Sequence, residues 1–87
     1  MITHSRVTIG TTPTLVSSAG QVDQTVCIQN EDASITVFLG GRQLSISDYG
    51  YKLLPGQVFV VKMTVGEELF GLVASGSLPV NVLVKGY

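Results

Sequence analysis

Apolar and polar residues alternate along much of this chain with the two-residue period of a β-strand. The clearest case is residues 78–85 (LPVNVLVK), in which every second residue from Leu78 to Val84 is apolar. Side chains of a strand point alternately to its two faces, so this pattern predicts a strand with one buried face and one mostly exposed face. Pro79 cannot donate to a hydrogen-bond ladder and is typical of a strand end or an edge strand.

Two other segments are apolar on both faces, which favours positions in the middle of a sheet. They are residues 68–74 (ELFGLVA) and residues 58–61 (VFVV), the latter within a strand predicted over residues 57–65. A third strand is predicted from Val22, Val26 and Ile28, which fall on one face. Weaker patterns predict further short strands at residues 6–9, 14–17, 35–39, 44–46 and 51–54.

Glycine and proline residues mark the predicted turns. Gly40 and Gly41 form a dipeptide that favours a tight turn, because glycine readily adopts positive φ angles. Pro55 and Gly56 are the residue types preferred at the two central positions of a type II turn. Other turns or loops are predicted at residues 30–34, 48–50, 65–67 and 75–77.

Spacing and composition together predict an all-β fold. About seven to nine short strands at intervals of about 8–12 residues, with no helical segment between them, are typical of an antiparallel β-sandwich or a small barrel. The chain has thirteen Val, five Ile and eight Thr residues but only three Ala and three Glu, which also favours strands. We expect one jelly-roll-like β-sandwich domain over residues 1–87.

The charge content argues against several classes of partner. Only 13% of the residues are charged, about half of the roughly 25% that is usual in soluble domains, and the net charge is −1. The basic residues are scattered singly, so we expect no binding of nucleic acid or of a membrane. No apolar run approaches the roughly 20 residues of a spanning helix. The N-terminal residues do not look like a secretion signal, which favours synthesis in the cytoplasm without secretion.

Few residues are suited to catalysis or to metal binding. His4 is the only histidine and lies near the N-terminus, where a fixed position is hard to maintain. Cys27 is the only cysteine, and a lone cysteine is most often a small buried side chain. The acidic pairs at residues 31–32 and 67–68 fall in predicted turns, where carboxylates usually only contact solvent. Motifs for nucleotides, zinc and calcium are absent, so we expect no enzyme activity, no cofactor and no metal site.

Three residues near the middle of the chain are candidates for a contact surface. Arg42, Tyr49 and Tyr51 lie close together in sequence, and Arg and Tyr are enriched in protein interfaces. Tyr51 has an alternative interpretation as a core residue beside Leu53, and Tyr49 as an ordinary loop residue. If both rings are exposed, they could instead form a stacking platform for a carbohydrate.

The chain also carries more apolar residues than one small sandwich can bury. Two packed sheets bury only two faces, yet alternation places large apolar residues on the opposite faces as well. These residues are Phe38, Val58, Val60, Phe70, Leu72 and Leu83. Large exposed apolar patches are rare on soluble monomers, so we expect some of them to contact another chain, with Val58, Val60 and Leu83 as the candidates.

Six segments follow one another in an order that resembles a known family. They are residues 6–10 (RVTIG), 26–30 (VCIQN), 35–41 (ITVFLGG), 50–56 (GYKLLPG), 68–76 (ELFGLVASG) and 79–83 (PVNVL). Each segment alone is only a strand followed by a turn. Taken as a set over most of the chain, they resemble the small β-sandwich proteins of tailed-bacteriophage virions, in particular head decoration and head-fibre proteins.

The resemblance implies a structural role on the exterior of a virion. Proteins of this family bind the outside of an icosahedral head, commonly as trimers, and stabilise the lattice of the major capsid protein. The implied partners are therefore the major capsid protein and further copies of this chain, as a homotrimer. The extra apolar faces would form the trimer contact, and the N-terminal segment and loops, with Arg42 and Tyr49, the capsid contact. A position in the tail or a fibre and a carbohydrate-binding module are the alternatives.

Overall fold

The computed structural model describes residues 2–20 and 23–86. Val22, expected on the buried face of the third strand, lies outside these residues. The described chain contains strands and no helix, so no helix long enough to span a membrane occurs in it. The strands are β1 (Ile2–Ile9), β2 (Thr14–Ser18), β3 (Gln24–Gln29), β4 (Val37–Gly40), β5 (Tyr51–Leu53), β6 (Val58–Met63), β7 (Glu68–Val73) and β8 (Leu78–Gly86).

These strands form two antiparallel sheets in the arrangement of a jelly roll. The first sheet has the strand order β1-β8-β3-β6, and the second sheet has the order β2-β7-β4-β5. The first strand pairs with the last, and the nesting continues inward: β1 with β8, β2 with β7, β3 with β6 and β4 with β5. Successive pairs belong alternately to the first and the second sheet. The predicted all-β, jelly-roll-like sandwich is therefore confirmed.

Three strand predictions differ from the structure. Residues 58–61 were expected in the middle of a sheet, but β6 is an edge strand of the first sheet. Residues 44–46 form no strand, because Ser45 makes only an isolated bridge to Asp48 within a loop. β1 begins at Ile2 instead of Arg6, because its polar first half continues to pair with β8.

Turns occur at both predicted glycine positions, but only one of them uses a positive φ angle. Gly56 has a φ of 79°, and the N–H of Gln57 donates to the carbonyl oxygen of Leu54 at 3.0 Å, as a tight turn at residues 54–57 requires. A turn also begins at Gly41, since the N–H of Leu44 donates to the carbonyl oxygen of Gly41 at 3.1 Å, but neither Gly40 nor Gly41 has a positive φ. A ten-residue loop follows β4, so the chain reverses there without a left-handed residue.

The main core lies between the inner faces of the two sheets. Gly71 in β7 has a steric role there, because a Cβ atom at this position would lie 2.9 Å from Cδ1 of Ile9 and 3.2 Å from Cγ2 of Val16. The missing side chain therefore makes room for Ile9 between the sheets. The buried residues of this core are Ile9, Val16, Ala19, Val26, Ile28, Val37, Leu39, Leu53, Met63, Val73, Leu78, Val80 and Val82.

Asn30 is a fully buried polar residue that connects the two sheets at one end of the sandwich. It follows β3, and its side-chain Nδ2 donates to the carbonyl oxygens of Ile35 at 2.8 Å and Leu53 at 3.3 Å. Its Oδ1 accepts a hydrogen bond from the N–H of Asp32 at 3.1 Å. Because Leu53 belongs to the second sheet, this one amide fixes the crossing from β3 to the β4–β5 pair.

The carboxylate of Asp32 organises the loop that follows. It accepts hydrogen bonds from the N–H groups of Ser34 at 2.8 Å and Ile35 at 2.7 Å, and from the Ser34 hydroxyl at 3.2 Å. The two backbone N–H groups stabilise the charged form, so the pKa of Asp32 is lower than that of an ordinary aspartate.

We expect Asn30→Ala to destabilise the protein by about 2–3 kcal/mol, because it leaves buried carbonyl oxygens without a donor. Urea unfolding followed by circular dichroism measures the change. Asn81→Ala is the matched control, since the hydrogen bonds of the Asn81 side chain lie at the exposed surface, and it should cost less than about 1 kcal/mol. Equal costs for the two variants would contradict a structural role for Asn30.

Asp32→Asn should flatten the acid limb of the stability curve. The pKa of Asp32 is lower in the folded than in the unfolded chain, so its contribution is present above the unfolded pKa and is lost as the pH falls through the folded pKa. We therefore expect the wild-type protein to lose more stability than Asp32→Asn when urea unfolding is compared between neutral and acidic pH. Parallel curves for the two proteins would refute this linkage.

Candidate interaction surfaces

The outer face of the second sheet is covered by the chain itself. Residues 41–50, called the cover loop below, run from β4 to β5 and lie against this face. Leu44 and Leu72 are only 5% and 2% exposed, although neither belongs to the main core. Cδ1 of Leu44 lies 3.1 Å from the position of a Cβ atom on Gly40, so the glycine leaves room for Leu44. Leu72, which alternation placed on an outward face, is therefore buried within its own chain.

Aromatic and charged contacts hold the cover loop in place. The ring of Tyr49 packs on that of Phe38, with 4.9 Å between the centroids. The guanidinium group of Arg42 lies 5.7 Å from the ring centroid of Phe70 and forms an ion pair with Glu68. Phe38 and Phe70 are thereby half-buried, so these two outward residues, like Leu72, are covered without another chain.

Arg42 and Tyr49 remain together in the structure, whereas Tyr51 lies elsewhere. Tyr51 pairs with the core residue Leu39 and so points to the inner side of the second sheet, where its ring packs on Phe59 of β6 at 4.5 Å. This is close to the core interpretation, although Tyr51 is still 40% exposed. Since Tyr49 packs on the outer side of the same sheet, the two rings form no common stacking platform.

The cover loop surrounds a shallow depression of about 500 Å³. The side chains of Arg42, Gln43, Asp48 and Tyr49 line it, together with glycine backbone. This surface offers hydrogen-bond donors and acceptors beside one aromatic ring. It lies on the opposite side of the sandwich from the outer face of the first sheet.

The outer face of the first sheet, called the open face below, carries the other three predicted contact residues. Val58, Val60 and Leu83 are 50%, 60% and 47% exposed. The strand registers arrange the side chains in rows across the sheet. The middle row is His4, Leu83, Cys27 and Val60; the row on one side is Ile2, Lys85, Thr25 and Lys62, and the row on the other side is Arg6, Asn81, Gln29 and Val58.

Hydrogen bonds connect one polar row of the open face. Arg6 donates from Nε to Oδ1 of Asn81 at 3.1 Å, and Asn81 donates from Nδ2 to Oε1 of Gln29 at 3.4 Å. Arg6 also forms an ion pair with Glu31 at 3.4 Å. The open face therefore has a mainly apolar middle row between polar rows, which is the distribution found in protein interfaces. A depression of about 480 Å³ lies along it, lined in part by Leu83, Cys27 and Val58.

His4 and Cys27, the histidine and the cysteine of the open face, do not lie next to each other. His4 and Cys27 share the middle row, but Leu83 lies between them, so they are separated by two strand spacings, roughly 10 Å. That distance is too long for a hydrogen bond between nucleophile and base. Among the described residues, no group of three His, Cys, Asp or Glu side chains could hold a metal ion.

The sequence predicts that the acidic pairs only contact solvent, but in the structure they make hydrogen bonds and ion pairs. Glu67 accepts hydrogen bonds from the N–H of Thr64 at 2.6 Å and from its hydroxyl at 2.9 Å, and these bonds lower the pKa of Glu67. Glu68 pairs with Arg42, and Glu31 with Arg6. These carboxylates stabilise turns and side-chain positions.

Sequence reasoning missed His4, Cys27 and Ile2 as members of the open face. Cys27 alternates with Val26 and Ile28, which was a sufficient signal for an outward position. His4 and Ile2 gave no such signal, because the first half of β1 contains too few apolar residues for alternation to be recognised.

Comparison with protein-family models, curated proteins and solved structures finds no significant match to this chain.

Leu44→Ala should destabilise the protein by about 2–4 kcal/mol, because it removes a buried side chain from beneath the cover loop. Ile46→Ala is the matched control in the same loop, since Ile46 is 56% exposed, and its effect should stay below about 1 kcal/mol. Thermal and urea unfolding measure both. If the two variants unfold alike, Leu44 does not anchor the loop.

Proposed function

We propose that this protein is a structural accessory protein of a bacteriophage capsid. It binds the outer surface of the head as a homotrimer and stabilises the lattice of the major capsid protein. The observation that carries the proposal is the open face, where Val58, Val60 and Leu83 are about half exposed in one polar-rimmed patch. Contact with another protein chain would bury such a patch. The assignment to a phage head rests on the sequence resemblance.

Two separate surfaces support two kinds of contact. The open face contributes the apolar side chains for contact between copies, and the cover loop contributes Arg42 and Tyr49 for contact with the capsid protein. Because these surfaces lie on opposite outer faces of the sandwich, one copy can use both at once. The fold agrees with this role, since jelly rolls occur in viral capsid and lectin domains, although a fold alone does not determine function.

Stabilisation of a capsid requires only binding. A protein that binds the assembled lattice, and not the dissociated subunits, stabilises the lattice by RT ln(1 + [L]/Kd) at each site. A trimer contacts three sites together, so contacts that are weak singly become strong through effective concentration. The protein would be made in the cytoplasm of the host bacterium and act on the exterior of the virion, without a cofactor or a catalytic residue.

The test is a co-sedimentation experiment with undecorated capsids of the phage. Light scattering first gives the mass of the purified protein, which should be that of a trimer. The trimer should then sediment with capsids and raise their melting temperature. A trimer that ignores capsids would contradict the head position and favour the tail or a fibre, and a monomer that ignores them would contradict the proposal as a whole.

Variants on the two surfaces should separate the two contacts. Val60→Lys places a charge in the open face and should lower the mass to that of a monomer without unfolding the chain. Val65→Lys is the matched control, because Val65 is equally exposed but lies in a turn outside the open face. Tyr49→Ala should leave the trimer intact and weaken capsid binding at least several-fold. If Val60→Lys stays a trimer, the open face is not the contact between copies. Loss of the trimer in Val65→Lys alone would point to a contact outside the open face.

A further inference from the structure

The two sheets differ in how their edge strands are protected from pairing with another chain. In the second sheet, β2 has a register shift between Leu15 and Ser17, and β5 is only three residues long. Irregular and very short edge strands resist the addition of another strand. In the first sheet, β1 and β6 pair without irregularity over eight and six residues, and in the described chain each has a neighbouring strand on one side only. The first sheet therefore has two long, regular edges.

The backbone of β6 has groups that face its open side. The N–H of Asn30 donates to the carbonyl oxygen of Gln57 at 3.0 Å, in the register that continues the pairing of β3 with β6. In an antiparallel ladder, alternate residues direct both backbone groups to the same neighbour. Gln57 and Phe59 therefore face β3, whereas Val58 and Val60 direct their N–H and C=O groups toward the open edge.

The first half of β1 pairs with β8, but its own chain buries little of its side chains. Residues 2–6 are exposed on both faces, although Thr3 and Ser5 point to the same side as the core residue Ile9. Ordering a strand costs conformational entropy, and burial of side chains usually offsets that cost. The exposed side chains and the open edge of this half are therefore accessible to a second chain.

We infer that β6 of one copy pairs in antiparallel fashion with β1 of the next copy, so that the first sheet continues from copy to copy and closes into a ring. This inference rests on the self-association in the proposed function, and it does not depend on binding to a capsid. The ring contains three copies, as in the proposed homotrimer. The ring contact uses both regular edges of every copy.

Strand direction and register are compatible with this pairing. Neighbouring strands alternate in direction across the order β1-β8-β3-β6, so β1 of a following copy lies antiparallel to β6 without any reversal. Placing His4 beside Val60 pairs residues 2–6 with residues 58–62. In this register the middle row of the open face continues into the next copy. The ring closes with the open faces toward its centre, so that the apolar side chains of the copies face one another. Lys62 then faces Ile2 of the next copy and not another cation, which avoids like-charge repulsion across the strands.

A two-fold pair of β6 strands would be a weaker arrangement. It would leave the β1 edge of both copies unpaired, whereas a ring leaves no regular edge of the first sheet open. A standard interface buries about 800 Å² on each partner, and one pair of short strands buries less than that. Each copy in a ring makes two such contacts, one at β1 and one at β6, and a closed head-to-tail arrangement avoids an endless filament.

Disulfide trapping tests the pairing directly. In a Cys27→Ser background, His4→Cys and Val60→Cys are combined in one chain. The inferred register places these residues opposite each other, about 4.5–5.5 Å apart between Cα atoms, which is within the range of a disulfide. Mild oxidation should convert most of the protein into covalent trimers on a non-reducing gel. Ile2→Cys with Lys62→Cys, a second pair at exposed positions in the same register, should behave alike.

Matched controls separate the ring from other arrangements. Val60→Cys alone should give no covalent dimer, and an abundant dimer would instead indicate a two-fold pair of β6 strands and overturn the ring. Leu15→Cys with Lys52→Cys, on the two edges of the second sheet, should not cross-link. Light scattering before oxidation gives the mass of each variant. A trimer that cross-links at neither designed pair overturns the inference and leaves the proposed function standing, whereas a cross-linked trimer that ignores capsids supports the inference and overturns the head position.

Discussion

A β-strand that points one side chain inward must point the next one outward, and this constraint governs the whole molecule. Two sheets have four faces, and only two of them can meet in a sandwich. In this chain large apolar side chains occupy the other two faces as well, among them Leu72 and Leu83. The cover loop solves the problem for the second sheet, where Leu44 and Leu72 are both buried and Tyr49 packs on Phe38. The first sheet has no equivalent among the described residues, so its outer apolar side chains stay about half exposed.

Three polar side chains, those of Asn30, Asp32 and Glu67, form hydrogen bonds to backbone groups that stabilise the ends of the sandwich. Asn30 connects the sheets through backbone carbonyl oxygens of both the following loop and β5. Asp32 and Glu67 accept backbone N–H groups in two different turns. The backbone N–H and C=O groups in buried segments and turns therefore still have hydrogen-bond partners, although the chain has few charged residues. Side-chain carboxylates and amides supply the hydrogen bonds that the strand ladders do not.

Alternation in the sequence was sufficient to predict the fold class, most strands and the outward direction of Val58, Val60 and Leu83. It could not predict that β6 is an edge strand. A strand with apolar residues on both faces has the same sequence pattern whether it has a neighbouring strand on both sides or on one side only. The cover loop could not be predicted, since Leu44 stands among polar residues and its burial depends on the tertiary structure, in which it approaches Gly40 and lines the same depression as Leu72. Tyr49 and Tyr51 are close in sequence, yet Tyr49 lies near the end of the cover loop on the outer side of the second sheet, whereas Tyr51 begins β5 and points to the inner side.

The nested pairing of the strands also determines how this chain can find its structure. Direct closure of the β1–β8 pair from an open chain would join residues 69 to 83 positions apart, with a large loss of entropy. The innermost pair, β4 with β5, joins residues that are separated only by the cover loop. Once that hairpin has formed, β3 and β6 are held close together, and each outer pair in turn has only a short additional loop to close. A topology whose final contacts are among the most distant in sequence can thus be assembled as a series of local steps, from the centre of the chain toward its two ends.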